Sequence, residues 1–182
     1  MNIAVFCSSS EHLDNRYSEA ATELGHWMGK EGHTLVFGGA DCGLMRRTYD
    51  AVKEAGGSCI GVIPEDFERR GRDIPGMDVK ISTSDLSERK NIMLDHSDVA
   101  VILPGGLGTL DELFTTMSDL KLGYHKTRVI LYNVNGFWDS FIAMIEDLRE
   151  KQVFHCPVES LLTIVSSQEE LSRAVKELSS RE

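Results

Sequence analysis

The sequence has no Cys-x-x-Cys pair and no cysteine/histidine cluster at metal-ligand spacing. Its four cysteines, Cys7, Cys42, Cys59 and Cys156, are scattered along the chain. That excludes a zinc-stapled or disulfide-framed scaffold and leads us to expect reduced thiols in a cytoplasmic protein with no metal and no cofactor. It also lacks an excess of basic residues: the net charge is -10. That argues against general nucleic-acid binding, which needs a basic face. A small phosphorylated ligand is not excluded, because local N–H groups and one or two cations can hold it. No apolar run approaches the roughly 20 residues of a membrane span. The first residues enter a strand-like run, Asn2-Ile-Ala-Val-Phe6, without the basic stretch of a secretory leader. Neither a membrane nor a leader is therefore expected. Two nucleotide motifs are missing as well. No Gly-x-Gly-x-x-Gly opens the first helix with an acid closing the second strand, and no Gly-Lys-Ser/Thr is present.

What remains is an ordinary globular composition, 41% hydrophobic and 26% charged over 182 residues, enough for one domain with a core. Apolar runs of strand length alternate with helical spacing. Strands are expected at Ile3–Cys7, Thr34–Phe37, Cys59–Ile63, Asp78–Ser82, Val99–Leu103, Val129–Tyr132 and Leu161–Val165. Helices are expected at Tyr17–Lys30, Leu44–Ala55, Asp85–Ser97, Thr109 to about Gly123, and Phe137–Lys151, with a C-terminal helix entered by a capping box at Ser166–Glu170. The charged stretch Glu65–Met77 reads as a loop or flexible flap. Alternation of this kind implies a doubly wound parallel α/β sheet of about six or seven strands, covered on both faces. Ligands on such sheets bind beyond the carboxyl ends of the strands. Three loops there carry the distinctive residues: Ser8–Ser10, Gly38–Gly43 and Gly105–Thr109.

The chain is organised around Val99-Ala-Val-Ile-Leu-Pro-Gly-Gly-Leu-Gly-Thr-Leu-Asp-Glu112. A buried strand stops at Pro104, three glycines let backbone approach a ligand, and a helix follows with Thr109 as its expected N-cap. Free N–H groups converging at a helix N-terminus make an anion site, with phosphate the natural occupant. Glu112 is unusual beside a phosphate and suggests work on another part of the ligand. Upstream, Arg89 and Lys90 place two cations on the helix that leads into this strand. Apolar Leu94, Leu113, Met117 and Leu120 exceed what one side of the sheet obviously needs. His33, His125 and His155 are isolated and are expected to be structural.

Ser-Glu-Arg89-Lys90 followed by Pro104-Gly-Gly-Leu-Gly-Thr-Leu-Asp-Glu112 resembles the Lonely Guy (LOG) family, phosphoribohydrolases with a Rossmann-like fold once labelled lysine decarboxylases. Phe6-Cys-Ser-Ser9, Phe37-Gly-Gly39, Gly43-Leu-Met45, Gly61-Val-Ile-Pro64, Leu122-Gly-Tyr-His125 and Asn133-Val-Asn-Gly136 stand in the same order as in that family. The resemblance implies cleavage of the N-glycosidic bond of a nucleoside 5′-monophosphate, AMP or a cytokinin ribotide, to free base and ribose 5-phosphate. It implies Arg89 and Glu112 as the catalytic pair. It places Ser8, Ser9, Gly38, Gly39, Met45, Lys90, Gly105, Gly106, Leu107, Gly108, Thr109 and Ser118 against the substrate, and it implies a homodimer with its sites near the interface. Glycosidic hydrolysis passes through an oxocarbenium-like sugar, which a carboxylate stabilises. The residue types leave Glu112 open as nucleophile, base or electrostatic partner. The chain departs from the family pattern at Ala40, Arg46, Ser118 and Asp119. The last two lie toward the base end in the family. The alternative is a non-catalytic nucleotide or molybdenum-cofactor carrier of the same fold, which needs the phosphate cradle but not the carboxylate. A true lysine decarboxylase would need pyridoxal phosphate and a Schiff-base lysine, for which the sequence offers only Lys90 near the cradle.

Overall fold

The computed structural model describes residues 1–154 and 156–179, so His155 lies outside it. Seven strands form one sheet in the order β4-β3-β2-β1-β5-β6-β7, every neighbouring pair parallel. The strands are β1 (Asn2–Phe6), β2 (Thr34–Phe37), β3 (Ser58–Pro64), β4 (Val79–Thr83), β5 (Val99–Ile102), β6 (Arg128–Tyr132) and β7 (Leu162–Val165). Between them run α1 (Asn15–Lys30), α2 (Gly43–Glu54), α3 (Glu65–Arg69), α4 (Leu86–Asp95), α5 (Leu107–Leu122) and α6 (Asp139–Glu150), and α7 (Gln168–Ser179) follows β7. Parallel strands are buried on both faces, which is why Val99-Ala-Val-Ile102 is apolar throughout rather than alternating. One face packs Ile3, Val5, Leu35, Phe37, Val99 and Val101 under α1, α2 and α7. The other packs Ala4, Phe6, Val36, Ala100 and Ile102 under α4, α5 and α6.

The chain runs outward from β1 to β4 and then returns to β5, which pairs with β1 in the register Ile3 to Val99 and Phe6 to Ile102. The strand order reverses between β1 and β5. A crevice opens at such a reversal, above the carboxyl ends of the two strands. Backbone bonds lock the loops around it. The Ser8 N–H donates to the Pro104 carbonyl at 3.0 Å, and the Leu44 N–H donates to the Ser8 carbonyl at 3.0 Å. Ser8 thus ties the loop after β5 to the start of α2.

Three expectations need correction. Helix α5 begins at Leu107 with Gly106 as an N-cap that offers no side-chain bond, not at Thr109. A glycine cap leaves no sequence cue, and Thr109 lies buried within the first turn instead. Asp111 and Glu112 consequently fall beyond that turn, where the helix dipole has little hold on them. The segment Glu65–Met77 is not a free flap: it holds α3 and is pinned to the loop after β2. The Asp41 N–H donates to the Arg72 carbonyl at 2.7 Å, the Ile74 N–H donates to the Gly39 carbonyl at 2.9 Å, and Ile74 is sunk into the core. Third, Leu94, Leu113 and Met117 are core residues packed between the sheet and its helices, with Leu120 packed against them, so they are not a surplus. The exposed apolar side chains of this layer include Phe114, Leu122, Tyr124 and Met144, with Leu86 and Leu107 exposed near the cavity. No helix among the described residues is long and apolar enough to cross a membrane.

Candidate active site

A cavity of about 770 Å³ occupies the crevice. It is bounded by the loop after β1 (Ser8, Ser9, Ser10), the loop after β2 (Gly38, Ala40, Cys42), Met45, Arg89, Lys90 and the start of α5 (Gly106 to Thr109), with Glu112 one turn further in. The N–H groups of α5's first turn are the orphans every helix start carries, and they belong to the cradle. Glycine at 106 and 108 is not demanded by the fold. Neither takes a positive φ, and a Cβ built on either meets no protein atom within 4 Å. What such a surface accommodates is close approach of a ligand from outside.

Arg89 and Glu112 meet inside this cavity. Asp85 caps α4 by accepting from the Ser87 and Glu88 N–H groups, and the Glu88 carboxylate reaches back to the Ser84 N–H. This reciprocal cap fixes the frame in which Arg89 leaves the helix. The Arg89 Nε–H donates to the Val62 carbonyl at 3.1 Å, and its Nη1–H donates to Glu112 Oε1 at 3.1 Å. The guanidinium lies against Gly38. A Cβ there would stand 1.7 Å from Arg89 Nη2, so only glycine leaves it room. Both partners are largely out of solvent, with side-chain exposures of 13% for Arg89 and 11% for Glu112. Burial pushes the Glu112 carboxyl up to about 7, the Arg89 charge working against that rise. Burial likewise raises the Cys7 thiol, which the Glu112 charge raises further. Cys7 is therefore a neutral wall of the cavity.

Lys90 also lines the cavity, but its ammonium is engaged: Nζ lies 2.7 Å from Asp111 Oδ2 and 3.1 Å from Thr115 Oγ1. Thr109 folds its side chain over Gly105, which keeps Gly105 behind the cradle rather than on its surface. Gly39 lies beneath the loop after β2, against Ile63 and Met77. Ser118 is exposed on α5 and does not line the cavity within a single copy of the chain. Phe114 precedes it by four residues and so shares its helix face. His33 and His125 do not line the cavity. Sequence reasoning missed Phe67, Arg72, Leu86 and Asp111, all of which do. Phe67, an aromatic within a charged run, was the one cue for the first two.

A switch-point crevice with a helix-start cradle and a buried arginine–glutamate pair defines a protein of the doubly wound α/β class with a crevice suited to an anionic ligand. Comparison with known proteins narrows this. Residues 45–175 match the family model described as "Possible lysine decarboxylase". The cytokinin riboside 5′-monophosphate phosphoribohydrolase LOG3 of Arabidopsis thaliana is 32% identical over 96% of this chain and 81% of its own. The enzyme named LOG of Oryza sativa is 39% identical over 79% of this chain and 60% of its own. Among solved structures, a molybdenum-cofactor carrier protein of Chlamydomonas reinhardtii is 25% identical with a TM-score of 0.75, covering 100% of this chain and 98% of that one. The molybdenum-cofactor binding protein of Rippkaea orientalis is 25% identical with a TM-score of 0.74, over 97% and 96%. The chain belongs to the LOG family.

Proposed function

We propose that this protein hydrolyses the N-glycosidic bond of a nucleoside 5′-monophosphate, releasing free base and ribose 5-phosphate. The observation that carries the proposal is the buried Arg89–Glu112 pair beside an anion cradle at the start of α5. The cradle takes the 5′-phosphate, and Glu112, a turn away, meets the sugar. In the reaction the C1′–N bond breaks with its electron pair leaving on the base. The oxygen of water then bonds to C1′, and the water proton ends on the base. The positive charge that develops on the sugar calls for an ionised carboxylate nearby. A carboxyl held near neutrality is also basic enough to draw the proton from water. Arg89 holds that carboxylate in place through a charge-assisted bond.

The four relatives differ in what they are named for, and this favours one alternative, a carrier that binds a phosphorylated cofactor without turnover. A carrier has no use for a buried carboxylate at the sugar, so the pair favours the enzyme. Lysine decarboxylation fits poorly: Lys90 is the only lysine among the described residues lining the cavity, and it is committed to Asp111 and Thr115. Incubation with AMP, GMP, CMP and a cytokinin ribotide in the presence of a chelator, followed by chromatography, tests the function. We expect base release from at least one purine nucleotide, and release from none removes the proposal.

The site is further proposed to work in a homodimer. Phe114, Leu122, Tyr124 and Met144 leave exposed apolar side chains on and after α5 and on α6, and a second copy of the chain is the occupant the family resemblance implies. Light scattering at micromolar concentration should give twice the chain mass. Replacing Phe114 and Tyr124 together by serine should return it to the monomer mass, and a wild-type monomer contradicts the assignment.

A further inference from the structure

The cavity runs from the α5 cradle, across the Arg89–Glu112 pair, to the carboxyl end of β3. The sheet order runs β5, β1, β2, β3, and neighbouring strands lie about 4.8 Å apart. From the cradle after β5 to the end of β3 is therefore about 14 Å. At that far end stand Pro64, Phe67 and Arg72, all lining the cavity. The Arg72 guanidinium lies 5.8 Å from the centre of the Phe67 ring, and the Arg72 N–H donates to the Phe67 carbonyl at 3.2 Å. Residues 72–74 are bonded in succession to the loop after β2: the Arg72 carbonyl accepts from Asp41, Asp73 bridges to Ala40, and Ile74 donates to Gly39. The same loop begins with Gly38, which seats Arg89. The two ends of the cavity are thus held in one frame.

Charge distinguishes Arg72 from the other cations of the cavity. Arg89 is paired with Glu112 and Lys90 with Asp111. Arg72 has no ion pair among the described residues, and its contact is the face of an aromatic ring. A planar cation laid over an aromatic face leaves its own outer plane as a surface on which a flat aromatic ligand stacks, with the ring behind it as support.

We propose that Phe67 and Arg72 form the base-binding platform of this site, with the nucleobase stacked on them and the 5′-phosphate in the α5 cradle. The proposal rests on the nucleotide function above but concerns binding alone. Stacking tolerates any base and is strongest for a large ring system, so a purine is favoured by area. The platform also explains why a segment that reads as a loose charged loop is pinned by backbone bonds: a stacking surface must be held at a fixed distance from the sugar site.

Calorimetric titration separates this role from others, using the carbocyclic analogue of AMP, which resists hydrolysis, and ribose 5-phosphate, which has no base. Phe67→Ala and Arg72→Ala should each weaken the analogue roughly tenfold or more and leave ribose 5-phosphate unchanged. Arg72→Lys, which keeps the charge and loses the plane, should weaken the analogue nearly as much as alanine does. Arg72 is exposed, so its variants test the platform even where Phe67→Ala unfolds. Equal weakening of both ligands would assign Arg72 to the phosphate and overturn the proposal. So would unchanged binding of the analogue, or full recovery with lysine. If none of the nucleotides is cleaved yet the AMP analogue binds through Phe67 and Arg72, the catalytic proposal fails and the platform stands.

Discussion

Glu112→Gln should lower kcat on the order of a hundredfold or more while KM changes little. The carboxylate acts on charge that exists only in the transition state, so its loss is felt in the chemical step and hardly in binding. The same substitution should raise stability above neutral pH. Folding lifts the Glu112 pKa from an ordinary 4.5 to about 7. Below about pH 4.5 both folded and unfolded chains hold the proton. Between there and about 7 only the folded chain holds it, so the group's contribution to stability is full at low pH and is lost as pH rises through about 7. At pH 8 the wild type folds with a buried ionised carboxylate, at a cost on the order of 3 kcal/mol, and a glutamine is spared it. Calorimetric melting should show the variant more stable than wild type at pH 8, the gap closing by pH 5. Wild-type kcat should rise with pH through the same region, because the ionised form is the working one. Were Glu112 only a structural partner of Arg89, the variant would turn over normally at every pH.

Gly38→Ala should disable the enzyme without unfolding it. The added methyl occupies the position of Arg89 Nη2 and comes within 2.8 Å of its Cζ. The obstructing atoms are the end of a long, flexible side chain, so Arg89 moves and the backbone does not. The displaced guanidinium leaves both the Val62 carbonyl and Glu112. kcat/KM should therefore fall on the order of a hundredfold, as for Arg89→Ala, with a melting temperature close to wild type. The double variant should be no worse than either single one, because both remove the same interaction. Activity near wild type in Gly38→Ala would show that Arg89 works from some other position.

These two predictions rest on features of unequal visibility in the sequence. The strands were legible to within a residue or two because β-branched runs end at glycine, proline or charge, as at Pro64 and Pro104. The start of α4 was equally plain, since Asp85 is a side-chain cap. The start of α5 was not: Gly106 caps with backbone alone, and a threonine two residues inside the helix imitated a cap. The pinned segment after β3 was misread because α3 is too short to show periodicity and its anchors are backbone bonds to residues 39–41. Arg89 and Glu112 could be named from their motifs, but the seat that joins them could not. It depends on a carbonyl in β3 and a missing Cβ after β2, remote positions that only the sheet order brings together.

The central claim is that this cavity breaks a glycosidic bond rather than storing a nucleotide. Wild-type protein held with a large excess of AMP, then denatured and separated, decides it directly. Adenine and ribose 5-phosphate should appear in equal amounts and exceed the protein many times over. Recovery of AMP, GMP, CMP and a cytokinin ribotide all intact from parallel incubations, with at most one molecule bound per chain, would contradict the claim.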